Sequence, residues 1–141
     1  MAYENVNTTQ LRSSLNACKS SLNSRTSSSL TSISDTVWSG EAKNNLTKAI
    51  SKLVNTRYKE LSNKIDEYLK VVDQIEEYQK LSASTGSLSS QKSTKEAQLR
   101  AEKAKANKDQ SKINRLQSEI NSLSNQINSA NSQMNSISIK V

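Results

Sequence analysis

Apolar residues recur at three- and four-residue steps along most of the chain, with polar residues between them. This period places the apolar side chains on one face of an α-helix, which has about 3.6 residues per turn. Proline is absent, and glycine occurs only at positions 40 and 86. Because glycine often ends a helix, we predict helices over about 5–37, 41–81 and 91–139, with a turn at 38–40 and a loop over 82–90.

The third segment has the most regular pattern, because its apolar positions keep the heptad spacing of a coiled coil without a break. These positions are Ile113, Leu116, Ile120, Leu123, Ile127, Ala130, Met134, Ile137 and Val141. The second segment carries one stripe from Leu46 through Ile50 and Leu53 to Ile75. The stripe of the first segment, which includes Cys18, is thinner.

Blocks of opposite charge predict how the second and third segments pair. Residues 60–77 carry a net charge of −4, and residues 92–115 carry +5. An antiparallel hairpin that turns at Gly86 brings the blocks together and sets Ile113 opposite residue 59. The predicted ion pairs are Glu77–Lys95, Glu67–Lys105 and Glu60–Lys112. We predict an all-α fold: a long antiparallel helical hairpin, a three-helix bundle at the end where the first helix joins it, and a two-helix coiled-coil stalk at the other.

Composition places the chain close to the limit for a packed core. Leu, Ile and Val together number 28 of 141 residues, and Phe is absent. A chain with so few large apolar residues buries little surface, so its narrow stripes predict a partner protein that covers them. The predicted partner-binding residues are Trp38, Gly40, Leu46, Ile50, Leu53, Ile120, Leu123 and Ile127.

Missing residue types exclude several chemistries. The chain has no histidine, so it cannot form a Ser-His-Asp triad, a Cys-His pair or a histidine zinc site. We therefore predict that it is not an enzyme and has no cofactor or metal site. Cys18 has no intrachain partner, and we expect it to pack as a small apolar residue. No run approaches the ~20 apolar residues of a membrane span, and we predict neither a classical signal peptide nor stable membrane insertion.

Trp38, Ser39 and Gly40 lie between the first two stripes, where a helical hairpin needs a turn. A W-x-G tripeptide at this place in a small helical chain resembles the WXG (early secreted antigen-like) family of type VII secretion proteins of Gram-positive bacteria and mycobacteria. The resemblance covers residues 5 to about 80. It implies a helical hairpin that is cytoplasmic before export, and export without a cleavable signal peptide.

Two features depart from the usual WXG pattern. The chain adds a third segment, 91–141, and it lacks the export signal of a tyrosine followed four residues later by an acid. The residues at that distance from Tyr58, Tyr68 and Tyr78 are Ser62, Val72 and Ser82. In these two features the chain resembles the small helical accessory proteins that partner LXG toxins. The resemblance implies a non-catalytic targeting factor or chaperone that forms a hetero-oligomer with an LXG toxin or another small WXG-like protein.

Two other functions fit parts of the pattern. Residues 113–141 would pair with copies of themselves in a self-associating coiled-coil structural protein. The net charge of +7 and the basic run over 92–115 are typical of nucleic-acid binding. However, the predicted pairing with the acidic block would neutralise that run, and no aromatic residue follows Tyr78 to stack on a base. We therefore predict no nucleic-acid partner.

Overall fold

The computed structural model describes residues 3–24 and 40–139. These residues form three α-helices and no strand: α1 (Thr8–Ser24), α2 (Glu41–Lys103) and α3 (Gln110–Ser136). The prediction of an all-α chain is confirmed. Trp38 and Ser39 lie outside the described residues, as does the part of the predicted first helix that follows Ser24.

The predicted loop over 82–90 is wrong, because α2 is one continuous helix of 63 residues that passes through Gly86. Side-chain hydroxyls in this stretch donate to the backbone carbonyl four residues earlier. Thr85 donates to Leu81 at 2.8 Å, and Ser90 donates to Gly86 at 3.1 Å. Hydroxyl groups thus find partners within the helix, so a serine-rich sequence is compatible with helical backbone.

The chain turns instead over residues 104–109, between α2 and α3. The side chain of Asp109 caps α3 by accepting a hydrogen bond from the backbone N–H of Lys112 at 3.0 Å. The carboxylate of Glu102, a residue only 3 % exposed, accepts from Lys105 Nζ at 2.7 Å and from the backbone N–H of Asp109 at 3.3 Å. It also pairs with Lys112 Nζ at 3.3 Å. One carboxylate therefore joins the end of α2, the turn and the start of α3.

Ion pairs fix the antiparallel register of α2 and α3. Lys95 Nζ lies 2.7 Å from Glu119 Oε2, and Lys112 Nζ lies 3.3 Å from Glu102 Oε2. Both pairs are placed symmetrically about Asn107, the centre of the hairpin. The hydrogen bond from Lys95 lowers the pKa of Glu119, which keeps this carboxylate charged.

The predicted pairing between the acidic block and the basic block is wrong. The observed pairs include Arg57–Glu60, Lys64–Glu67, Lys95–Glu119 and Glu102–Lys112. They replace the predicted pairs Glu77–Lys95, Glu67–Lys105 and Glu60–Lys112. The three wrong pairs have one cause. A hairpin centred on Gly86 instead of Asn107 sets every residue of α3 opposite the wrong residue of α2. For the same reason Ile113 packs in a cluster with Leu99 and does not lie opposite residue 59.

The heptad pattern of α3 is confirmed by its burial. Ile113, Leu116 and Ile120 form a buried cluster with Leu99 of α2, and Leu116 is only 1 % exposed. Ala130 continues the same face and is also buried. This cluster belongs to a compact unit formed by residues 3–6 and 73–139.

The N-terminal segment is fastened to α2 within the same unit. The side-chain amide of Gln79 donates to the backbone carbonyls of Tyr3 at 2.8 Å and Val6 at 3.0 Å. The ring of Tyr3 meets the buried ring of Tyr78 edge to face, with centroids 5.9 Å apart. Side-chain contacts thus hold a segment that precedes the first helix.

A second compact unit comprises residues 7–24 and 40–72, in which α1 packs on the early part of α2. Lys19 of α1 forms an ion pair with Asp66 of α2. The buried and half-buried positions of α1 are Thr8, Arg12, Leu15, Lys19 and Leu22. Cys18 is exposed, so the prediction that it packs as a small apolar residue is wrong. The face of α1 that meets α2 is rotated away from Cys18 and includes charged side chains.

Candidate partner-binding surface

The early part of α2 exposes four large apolar side chains. Leu46, Leu53, Leu61 and Tyr68 are 41, 60, 50 and 46 % exposed. They follow one another at intervals of seven or eight residues, which is two helical turns, so they lie on one face. At about 1.5 Å per residue the face extends over roughly 33 Å. We call these four residues the α2 strip.

A neighbouring face of α2 carries buried residues and an ion pair with α1. Ile65 and Val72 are 7 and 1 % exposed, and the adjacent Asp66 pairs with Lys19 of α1. Thr8 is the only buried residue of α1, so this helix supplies a narrow contact. A narrow helix can cover one side of α2, and within this unit the α2 strip stays open to solvent.

Charged side chains flank the centre of the α2 strip in balanced pairs. Arg57 Nη1 lies 2.8 Å from Glu60 Oε2, and Lys64 Nζ lies 2.6 Å from Glu67 Oε2. The hydrogen bond to Glu67 raises the pKa of Lys64. A shallow groove at this point is lined by Arg57, Glu60, Leu61, Asn63, Lys64 and Glu67. The two cations and two carboxylates cancel, so the centre of the α2 strip, around Leu61, is an apolar ridge with neutral flanks.

Three predicted partner-binding residues lie on this part of α2. Leu46 and Leu53 belong to the α2 strip, and Ile50, on the same helical face, is half-buried. Leu61 and Tyr68 were not among the predicted partner-binding residues, although they belong to the same exposed strip. The signal was present, because these two residues continue the two-turn interval that separates Leu46 from Leu53.

The predicted residues of α3 have a different environment. Ile120 is 6 % exposed and belongs to the cluster with Leu99 and Leu116, so its side chain is not free to contact a partner. Leu123 and Ile127 continue the same heptad face and are half-buried. We therefore correct the assignment of Ile120: it packs within the hairpin. The sequence pattern showed an apolar face but could not show which helix covers it.

Gly40 immediately precedes α2 and has a φ of +95°, in the left-handed region that favours glycine. Its carbonyl accepts a hydrogen bond from the backbone N–H of Asn44 at 3.1 Å, which starts the helix. No atom lies within 4 Å of the place where a Cβ would be. Glycine is therefore favoured here because of the backbone conformation, and not because a larger side chain would clash with a neighbour. Trp38, the other predicted residue of this turn, lies outside the described residues.

Three other kinds of site were considered among the described residues: a metal site, a pocket and a membrane-spanning helix. No group of three or more His, Cys, Asp or Glu side chains among them could hold a metal ion. A pocket of about 300 Å³ between α1 and α2 has a mainly amide and hydroxyl lining that includes Asn23, Asn55 and Tyr58. No helix in the described ranges is both long enough and apolar enough to cross a membrane.

No family model, no curated protein and no solved structure matches the chain. The resemblance to the WXG family therefore stays a prediction that rests on the residues themselves. Of the W-x-G tripeptide, the structure describes Gly40, whose positive φ is typical of a turn.

Proposed function

We propose that this protein is a non-catalytic helix-binding factor whose α2 strip binds an amphipathic helix of another protein. The observation that carries the proposal is the exposure of four large apolar side chains on one face of α2. An apolar helix face exposed over several turns is stabilised when a second helix covers it. The paired charges beside Leu61 let a partner approach the centre of the strip without a strong charge requirement.

The partner that suits the sequence best is the helical domain of an LXG-type toxin, with the present chain as its targeting factor for type VII secretion. The W-x-G tripeptide at 38–40 and the missing export signal support this choice. In this proposal the tripeptide forms the turn of a WXG-type hairpin, and the toxin helix completes a bundle with α1 and α2. The complex forms in the cytoplasm, and export requires no cleavable signal peptide.

The size of the effect at one residue follows from its exposure. Leu53 is 60 % exposed, so full coverage by a partner contributes roughly 1–2 kcal/mol, because burying a leucine completely is worth about 1.5–3 kcal/mol. Truncation of Leu53 to alanine should therefore weaken the complex by about tenfold. Substitution with aspartate adds the cost of burying a charge and should abolish the complex.

Size-exclusion chromatography of the full chain co-expressed with the helical domain of an LXG toxin tests the proposal. We expect a stable complex with the unchanged chain and none with Leu53→Asp or Leu61→Asp. Asn45→Asp is the matched control, because residue 45 is exposed on α2 outside the strip and gains the same charge. If the unchanged chain elutes apart from the toxin domain, or if Leu53→Asp binds as well as Asn45→Asp does, the proposal is wrong.

Self-association through α3 has less support. The face that would pair with another copy carries Ile113, Leu116 and Ile120, which are buried against Leu99 of the same chain. A copy could use this face only after the hairpin opened. The α2 strip needs no such opening, and for that reason we favour it as the site of partner binding.

A further inference from the structure

The turn at 104–109 places the basic run of the sequence at the tip of a hairpin. Six cations lie between residues 100 and 115: Arg100, Lys103, Lys105, Lys108, Lys112 and Arg115. All six are exposed. Their backbone positions lie in the turn or within about 9 Å of it along the helix axes, at about 1.5 Å per residue. We call these six residues the basic tip.

The two carboxylates of this stretch offset only part of the charge of the basic tip. Glu102 is 3 % exposed and is held under the turn by Lys105 and Lys112. Asp109 accepts the capping hydrogen bond at the start of α3. With six cations and two carboxylates, residues 100–115 have a net charge of +4. Folding therefore buries the carboxylate of Glu102, whereas the six cations stay exposed.

Within the part of the chain that the structure describes, three cations of the basic tip are paired: Lys105 and Lys112 with Glu102, and Arg115 with Glu119. Among the described residues, no carboxylate forms an ion pair with Arg100, Lys103 or Lys108. Glu60 and Glu67, which were predicted to pair with this run, pair instead with their neighbours on α2. Free positive charge remains at the tip, and it fits an anionic surface.

From this arrangement we propose that the basic tip binds the anionic phospholipid surface of a membrane without inserting into it. Clusters of four to eight Lys or Arg residues bind anionic headgroups, and each cation strengthens binding by roughly fivefold. The apolar residues of the tip are the exposed alanines Ala101, Ala104 and Ala106, which are too small to anchor it in hydrocarbon. The contact is therefore electrostatic and peripheral, and it is separate from the α2 strip.

The shape of the tip favours a membrane over nucleic acid. The cations are divided among α2, the turn and α3, so a broad anionic surface facing the tip can interact with cations from all three. The major groove of DNA admits one helix, whereas the tip presents two helices side by side. The tip also has no aromatic side chain that could stack on a base.

Co-sedimentation of the full chain with lipid vesicles tests this proposal. We expect binding to vesicles of phosphatidylcholine with phosphatidylglycerol, no binding to phosphatidylcholine alone, and loss of binding as salt rises, because salt screens exposed charges. Replacement of Arg100, Lys103 and Lys108 by glutamine should weaken binding by about a hundredfold at low salt. The control replaces Lys48, Lys52 and Lys70, three exposed lysines outside the tip, by glutamine, so the net charge falls equally.

The outcomes separate the proposal from its alternatives. Selective loss of binding in the tip variant supports the basic tip as the membrane contact. Equal loss in the control shows only a general effect of net charge and overturns the proposal. So does a failure of the unchanged chain to bind anionic vesicles at low salt, and so does tip-dependent binding of duplex DNA without vesicle binding. The salt dependence of the unchanged chain tests the proposal without relying on the folding of any variant.

Discussion

The early part of α2, up to residue 72, leaves several large apolar side chains exposed, whereas the late part, from residue 73, buries Leu99. In the unit formed with α1, Leu53 and Leu61 are 60 and 50 % exposed. In the unit formed with α3, Leu99 is 8 % exposed and packs on Leu116, which is 1 % exposed. The difference lies in the covering helix, since α3 has an unbroken heptad face and α1 does not. The helix that faces an apolar stripe therefore determines whether the stripe packs within the chain or stays exposed for a partner.

The largest contrast should appear when a leucine is truncated in each part. Leu116→Ala leaves a cavity in the buried cluster and should lower the free energy of unfolding by about 2–5 kcal/mol. Leu53→Ala removes a mostly exposed side chain and should change that free energy by less than about 0.5 kcal/mol. Urea unfolding followed by circular dichroism measures both. Similar losses in the two variants would contradict the difference between the two parts.

The next effect concerns the carboxylate that fastens the hairpin turn. The pKa of Glu102 is lowered from 4.5 to about 2, chiefly by the hydrogen bond from Lys105. A lowered pKa means that the charged form stabilises the fold fully above about pH 4.5, and that this contribution is lost as the pH falls towards 2.

Glu102→Gln should therefore lower the stability of the late part at neutral pH and flatten its decline between pH 4.5 and 2. Urea midpoints measured across this range would show the change. Glu60→Gln is the control, because Glu60 is an exposed carboxylate of the early part, and this variant should keep the acid-dependent decline of the unchanged chain. A decline in Glu102→Gln as steep as that of the control would show that Glu102 does not stabilise the turn.

A smaller effect is expected at the start of the early part. Gly40→Ala places a Cβ on a backbone with φ of +95°, which costs about 1–2 kcal/mol for an L-residue. Nothing lies within 4 Å of the added atom, so the loss comes from the backbone alone. Thermal unfolding should show the lower stability, and Gly40→Asn should recover part of it because asparagine tolerates this region. An unchanged melting temperature in Gly40→Ala would mean that this backbone is not held in the left-handed region.

The sequence predicted the helical class and the heptad face of α3, because both depend on a local period. It did not predict the site of the turn, because Gly86 was treated as an end to a helix. The period in fact continues across Gly86, since Leu81, Leu88 and Lys95 keep a seven-residue spacing and are half-buried. The turn at 104–109 depends on contacts of Glu102 that join three elements, and no local pattern specifies such contacts. The α2 strip was found only in part, because exposure depends on where α1 packs.

Gly86→Ala gives the smallest expected effect and decides between the two positions of the turn. In the interior of α2, with no atom within 4 Å of the added Cβ, alanine should raise the free energy of unfolding by about 0.5–1 kcal/mol, because glycine loses more backbone entropy on forming a helix. If residue 86 formed a tight turn of the left-handed type, the same substitution would destabilise the chain. The sign of the change in the free energy of unfolding therefore distinguishes the two positions of the turn. Ser87→Ala, at an exposed neighbouring position of the same helix, is the control for a general effect of alanine on helix propensity. A gain in Gly86→Ala larger than that in Ser87→Ala supports the continuous helix on which the register of α3 and the basic tip depend.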